Sequence, residues 1–73
     1  MSKFTVKQAR SLTGYSQEKM AKVLGISKNA YIRKEVGSSK FYVDEAYMFS
    51  EIVGLPMQDI IFFKDYVPKI RNT

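Results

Sequence analysis

The chain has 73 residues, neither cysteine nor histidine, and a formal charge of +5 from 12 Lys and Arg against 7 Asp and Glu. At this length it is expected to form one domain with a small core, near the lower limit for folding without disulfide or metal staples. Without Cys or His, the common zinc and transition-metal sites, thiol nucleophiles and imidazole bases are excluded, so no metal and no cofactor is expected.

The apolar pattern predicts five short helices. The first starts at Thr5, where Thr5-x-x-Gln8 has the spacing of a capping box and Phe4 with Ala9 that of a hydrophobic staple. Val6, Ala9 and Leu12 form its inward stripe, and Gly14 ends it. Tyr15 follows as a core residue. Ser16 caps the second helix, whose first turn holds Gln17 and Glu18, the latter suited to the positive dipole end. Met20, Ala21 and Leu24 share one face. Gly25 supplies the positive φ of a helix end, Ile26 turns under the bend, and Ser27 caps a third helix from Lys28 to about Val36, ending near Gly37.

A loop, Gly37 to Tyr42, leads to a fourth helix over about Val43 to Val53. Asp44 and Glu45 lie at its positive end, Gly54 is its C′ residue, and its inward set is drawn from Val43, Ala46, Tyr47, Phe49, Ser50 and Val53. Pro56 opens a fifth helix at a position that tolerates a missing amide hydrogen. Met57, Ile60 and Ile61 are expected to pack inward from it, ahead of Phe62. For the tail, 63–73, two readings stand: Tyr66, Val67 and Ile70 fold back on the core, or they form a subunit interface. The apolar runs are too short to span a bilayer and no signal-peptide core is present, so a soluble, cytoplasmic protein without membrane contact is expected.

Ser16 to Gly37 reads as a helix-turn-helix, with a three-residue turn that makes the third helix project one face outward. Gln17, Ala21, Leu24, Gly25, Ser27, Glu35 and Gly37 resemble the Cro/CI-type (lambda repressor-like) family of phage repressors and their bacterial relatives. The likeness runs without a gap from about Val6 to Phe62. It implies an all-α, five-helix DNA-binding domain occupying 1–73, with a family-like core at 6–62. It further implies a transcriptional regulator of the phage lysogeny switch, a Cro-like repressor acting as a homodimer on double-stranded operator DNA.

The candidate contacts follow from position and chemistry. Lys28, Asn29, Ile32 and Arg33 lie on the outward face of the third helix, spaced to meet successive base pairs in a major groove. Asn suits adenine edges, Arg suits guanine and Ile a thymine methyl. Gln17 stands at a helix N-terminus that favours an anion, and the matching glutamine of the family binds a backbone phosphate. Ser27 is placed to reach a phosphate in addition to capping. Ser38, Ser39 and Lys40 fall where relatives bind phosphates with loop amides and short side chains. The basic residues Lys28, Arg33, Lys34 and Lys40, within a chain of pI about 9.6, gather on and just after the recognition helix, which suits a polyanion. Arg10 and Glu35 match a family pair that ties the first helix to the end of the third, a structural role.

The chain departs from the family pattern at Tyr31, Ile32, Lys34, Val36, Phe41 and Tyr42. Ile32 and Val36 make the outward face unusually apolar, and exposed apolar clusters mark protein contacts. This supports a second reading: an antirepressor or switch modulator that binds a cognate repressor protein through Ile32 and Val36, or through the C-terminal segment. An antitoxin on the same fold is a third reading. No enzyme is expected, because Asp44 and Glu45 are neighbours explained by the helix dipole and no nucleophile has a base and orienter.

Overall fold

A computed structural model describes residues 3–62, so both readings of the tail lie outside the described residues. The described chain is mostly helical: α1 (Val6–Thr13), α2 (Gln17–Leu24), α3 (Lys28–Val36) and α4 (Val43–Val53). A 3₁₀ turn, Met57–Asp59, follows α4, and two short strands, β1 (Phe4–Thr5) and β2 (Ile60–Ile61), pair in parallel with Phe4 opposite Ile60.

The helix boundaries are written in local side chains. Thr5 Oγ1 accepts from the Gln8 N–H at 3.1 Å while Gln8 Oε1 accepts from the Thr5 N–H at 3.0 Å, a closed capping box. Ser16 Oγ accepts from the Lys19 N–H at 3.0 Å and Ser27 Oγ from the Ala30 N–H at 3.1 Å. Each such cap contributes about 1 kcal/mol. Gly25 takes φ 76°, which allows its N–H to close the end of α2 on the carbonyls of Ala21 and Lys22. Ile26 N–H then donates to the Ala21 carbonyl at 3.0 Å, and its side chain packs against the core.

Tyr31, Phe49 and Met20 are the largest side chains wholly removed from solvent. Phe41, Phe49 and Phe62 form an aromatic trio with ring centroids 5.0–5.9 Å apart in tilted and edge-on contacts, the geometry favoured by the ring quadrupoles. Phe41, one of the departures from the family pattern, is thus the residue that pins the loop between α3 and α4 to the core.

Two expectations are corrected. Where a fifth helix was predicted, Pro56 is extended (φ −64°, ψ 148°) and only one 3₁₀ turn forms, held by the Asp59 N–H donating to the Pro56 carbonyl at 2.9 Å. The chain beyond it holds two β-branched residues and an aromatic, types that favour strand, and β1 offers a backbone edge. Burial therefore alternates with period two: Ile60 and Phe62 are inside, whereas Ile61 and Met57 reach solvent. Secondly, Leu12 is 60% exposed. The inward stripe of α1 is Val6, Ala9, Arg10 and Thr13, half of it polar, which a purely apolar criterion passes over. Of the residues from which the inward set of α4 is expected to be drawn, Ala46, Phe49 and Ser50 are buried and Val53 packs against the core, whereas Val43 and Tyr47 face outward.

Candidate nucleic-acid interface

One carboxylate fixes α3 to the rest of the molecule. Glu35 Oε2 accepts from Arg10 Nε at 2.7 Å and from the Tyr31 hydroxyl at 2.7 Å. Its Oε1 accepts from Gln17 Nε2 at 2.8 Å, with a longer contact to Arg10 Nη2 at 3.5 Å. Arg10 Nη1 also donates to the Tyr15 carbonyl at 2.7 Å. The donors come from α1, α2 and α3, and the Glu35 side chain is only 3% exposed. Burial pushes its carboxyl upward, but the hydrogen bonds from Arg10, Gln17 and Tyr31 outweigh that and hold it below the usual range. Its hydrogen bond raises the Arg10 guanidinium, and burial, reinforced by Glu35, pushes the Tyr31 phenol far up. At neutral pH the cluster is one ion pair with two neutral donors.

The Arg10–Glu35 bridge is thus present. The part that sequence reading missed is the company it keeps. Gln17, singled out as a phosphate ligand, directs its amide nitrogen to Glu35. The Tyr31–Glu35 bond has a local signal in the i, i+4 spacing; the Gln17 bond joins residues on different helices and has none.

A second clamp lies one residue before Glu35, in the same last turn of α3. Lys34, counted among the cations of the recognition helix, is 7% exposed. Its Nζ lies 2.9 Å from Glu45 Oε1 and donates to the Lys40 carbonyl at 3.0 Å. The same ammonium stands 5.0 Å from the centroid of the Tyr42 ring. Glu45 Oε1 also accepts from the Tyr42 N–H at 3.0 Å. Lys34 is therefore withdrawn from the outward face, because a carboxylate, a carbonyl and an aromatic face compensate its desolvation.

With Tyr31, Lys34 and Glu35 turned inward, α3 presents Asn29, Arg33 and Val36 to solvent, with Lys28 exposed at the helix start and Ile32 half-buried at the edge. These positions follow the i, i+3, i+4, i+7 rule for one helix face. Val36 is 69% exposed. Ser27 is exposed and its hydroxyl is engaged in the cap. Lys40 is exposed and Ser39 half-buried. The expectation that loop amides at 38–39 address phosphates is corrected: the N–H groups of Ser38 and Ser39 both donate to the Arg33 carbonyl, at 2.9 and 3.1 Å. They satisfy one of the last-turn carbonyls of α3, which a helix leaves without internal partners.

Among the described residues no group of His, Cys, Asp or Glu is placed to hold a metal ion, and no helix is long and apolar enough to cross a membrane. Comparison with protein-family models, curated proteins and solved structures finds no match to this chain.

Proposed function

We propose that this chain is a cytoplasmic DNA-binding transcriptional regulator of the Cro/repressor-like kind, in which α2, the turn at Gly25 and α3 act as a helix-turn-helix. The observation that carries the reading is the outward face of α3. Lys28, Asn29 and Arg33 are exposed at helical spacing, while the inward side of the same helix is anchored by Glu35 to α1 and α2. A rigidly held helix carrying Asn and Arg suits base-edge reading in a major groove. Lys28, Lys40 and the hydroxyls of Ser27 and Ser39 suit the flanking phosphates. Gln17 joins them: its amide nitrogen has two hydrogens, and one bond to Glu35 leaves the other for a phosphate. A homodimer on a palindromic operator follows from the same reading.

The test is fluorescence anisotropy of the purified chain with duplex DNA from upstream of its own gene, against a scrambled duplex, over a range of salt. The reading expects sequence-dependent binding whose affinity falls steeply with salt, because Lys and Arg release counterions from phosphates. Feeble, sequence-blind binding overturns it.

The exposure of Val36 favours a second reading, an antirepressor that covers a cognate repressor protein with the Ile32 and Val36 edge. Val36→Lys separates the two. It abolishes binding under the second reading and preserves or strengthens DNA affinity under the first.

A further inference from the structure

Charge is divided along this chain. From Lys3 to Tyr42 there are nine Lys or Arg and two Glu; from Val43 to Asp59 there are four acids and no basic residue. The division is also one of elements, since α3 packs chiefly on α2, whereas α4 packs on α1, α2 and the 3₁₀ turn. The solvent side of α4 consists of Val43, Asp44, Tyr47, Met48 and Glu51. Three of the five are large and apolar, and Tyr47 is 58% exposed. The outer face of a helix in a water-soluble protein is ordinarily polar throughout. This face continues into an open groove lined by Tyr47, Glu51, Leu55, Pro56 and Met57, with Met57 itself exposed.

We propose that the α4 face and this groove dock a basic, apolar segment of a protein partner. The chemistry of the face selects that occupant. Tyr and Met are enriched in the cores of protein interfaces, and the thioether adapts its shape to irregular partners. The carboxylates of Asp44 and Glu51 flank the apolar residues, so a partner bearing Lys or Arg beside Leu or Ile meets complementary charge at the rim and an apolar centre. The same carboxylates repel nucleic acid and acidic peptides. The 11 residues of α4 extend about 16 Å, the length of roughly three turns of a partner helix laid along it. This surface is distinct from the outward face of α3, and the inference does not depend on what α3 binds.

The test titrates the ¹⁵N-labelled full chain with an amphipathic Leu/Lys peptide of about three helical turns, and with its Leu/Glu counterpart, at low and high salt. The expected result is amide shifts confined to Val43, Tyr47, Met48, Glu51 and Met57, weaker at high salt, with no response to the Leu/Glu peptide. Tyr47→Ala and Glu51→Lys, both at exposed positions, each weaken binding roughly tenfold with unchanged thermal melting. Shifts on α2 and α3, equal binding of both peptides, or indifference to the two variants overturn the proposal. So do concentration-dependent shifts at α4 without peptide, which mean that a second copy covers the face. Nuclear Overhauser contacts between residues 63–73 and Tyr47 overturn it too, in favour of the chain's own segment.

Discussion

At Glu35 a single ionised side chain holds three helices. Glu35→Gln leaves the Arg10 guanidinium shielded and without its counter-charge, so a loss of about 3 kcal/mol is expected in urea unfolding. Tyr31→Phe keeps the ring in the core and removes one donor to the carboxylate, for about 1.5–3 kcal/mol. The pH dependence has a definite sign. Because the folded carboxyl lies below its ordinary value of 4.5, its contribution is complete above that value and is lost as pH falls through the lower, folded pKa. The Tyr31 phenol acts at the opposite end: its folded pKa lies above the ordinary value of 10.0, so stability declines as pH rises beyond that value and the unfolded chain ionises first. Glu35→Gln should flatten the acid limb of a stability–pH curve and Tyr31→Phe the alkaline limb. If either limb survives its variant unchanged, the cluster is not its origin.

At the scale of elements, local signals were legible and long-range ones were not. Thr5, Ser16 and Ser27 each announce a helix start, and the bonds they make close within three residues, which is why sequence reading places α1, α2 and α3 correctly. The strand pair joins residues from opposite ends of the described chain. No periodicity in either segment says that the other will lie beside it, so Ile60 and Ile61 looked like one face of a helix. Lys34 departs from its expected exposure for a related reason: its partners Glu45 and Tyr42 belong to the next helix and its cap, and a Lys on a basic helix looks solvated. The alternation in β2 makes a clear prediction. Ile60→Ala, at a buried position, should cost about 2–5 kcal/mol, whereas Ile61→Ala, exposed and pointing the other way, should cost well under 1 kcal/mol. Equal losses in thermal unfolding would contradict the observed register.

For the whole molecule, the candidate interface is legible in part. The residues that face outward from α3 were readable from spacing, but which cations remain available to a polyanion depends on packing. The proposed DNA reading therefore predicts different salt behaviour for two lysines only six residues apart. Lys28→Gln should lower the slope of log affinity against log salt by about 1. Lys34→Met, which removes the amine held by Glu45 and Lys40, should destabilise the fold while leaving that slope unchanged. A reduced slope for Lys34→Met would place its ammonium on the phosphates instead. With no His or Cys in the chain, no side chain titrates between pH 6 and 8 by its ordinary pKa, and binding should be flat across that range.

The β1–β2 pair also sets an order of events during folding. Lys3 Nζ reaches the Gln58 carbonyl, 55 residues away, at 2.6 Å, beside the strand ladder. Closing a loop of that length in an open chain costs about 3.5 kcal/mol in entropy, more than two two-residue strands return. If the helices first shorten the path between these segments, the ladder is expected to form on the native side of the rate-limiting barrier. Stopped-flow kinetics of Ile60→Ala should then show faster unfolding with an unchanged folding rate. That result would make the strand pair the latch of the fold, setting how long the chain stays closed with little influence on how quickly it closes.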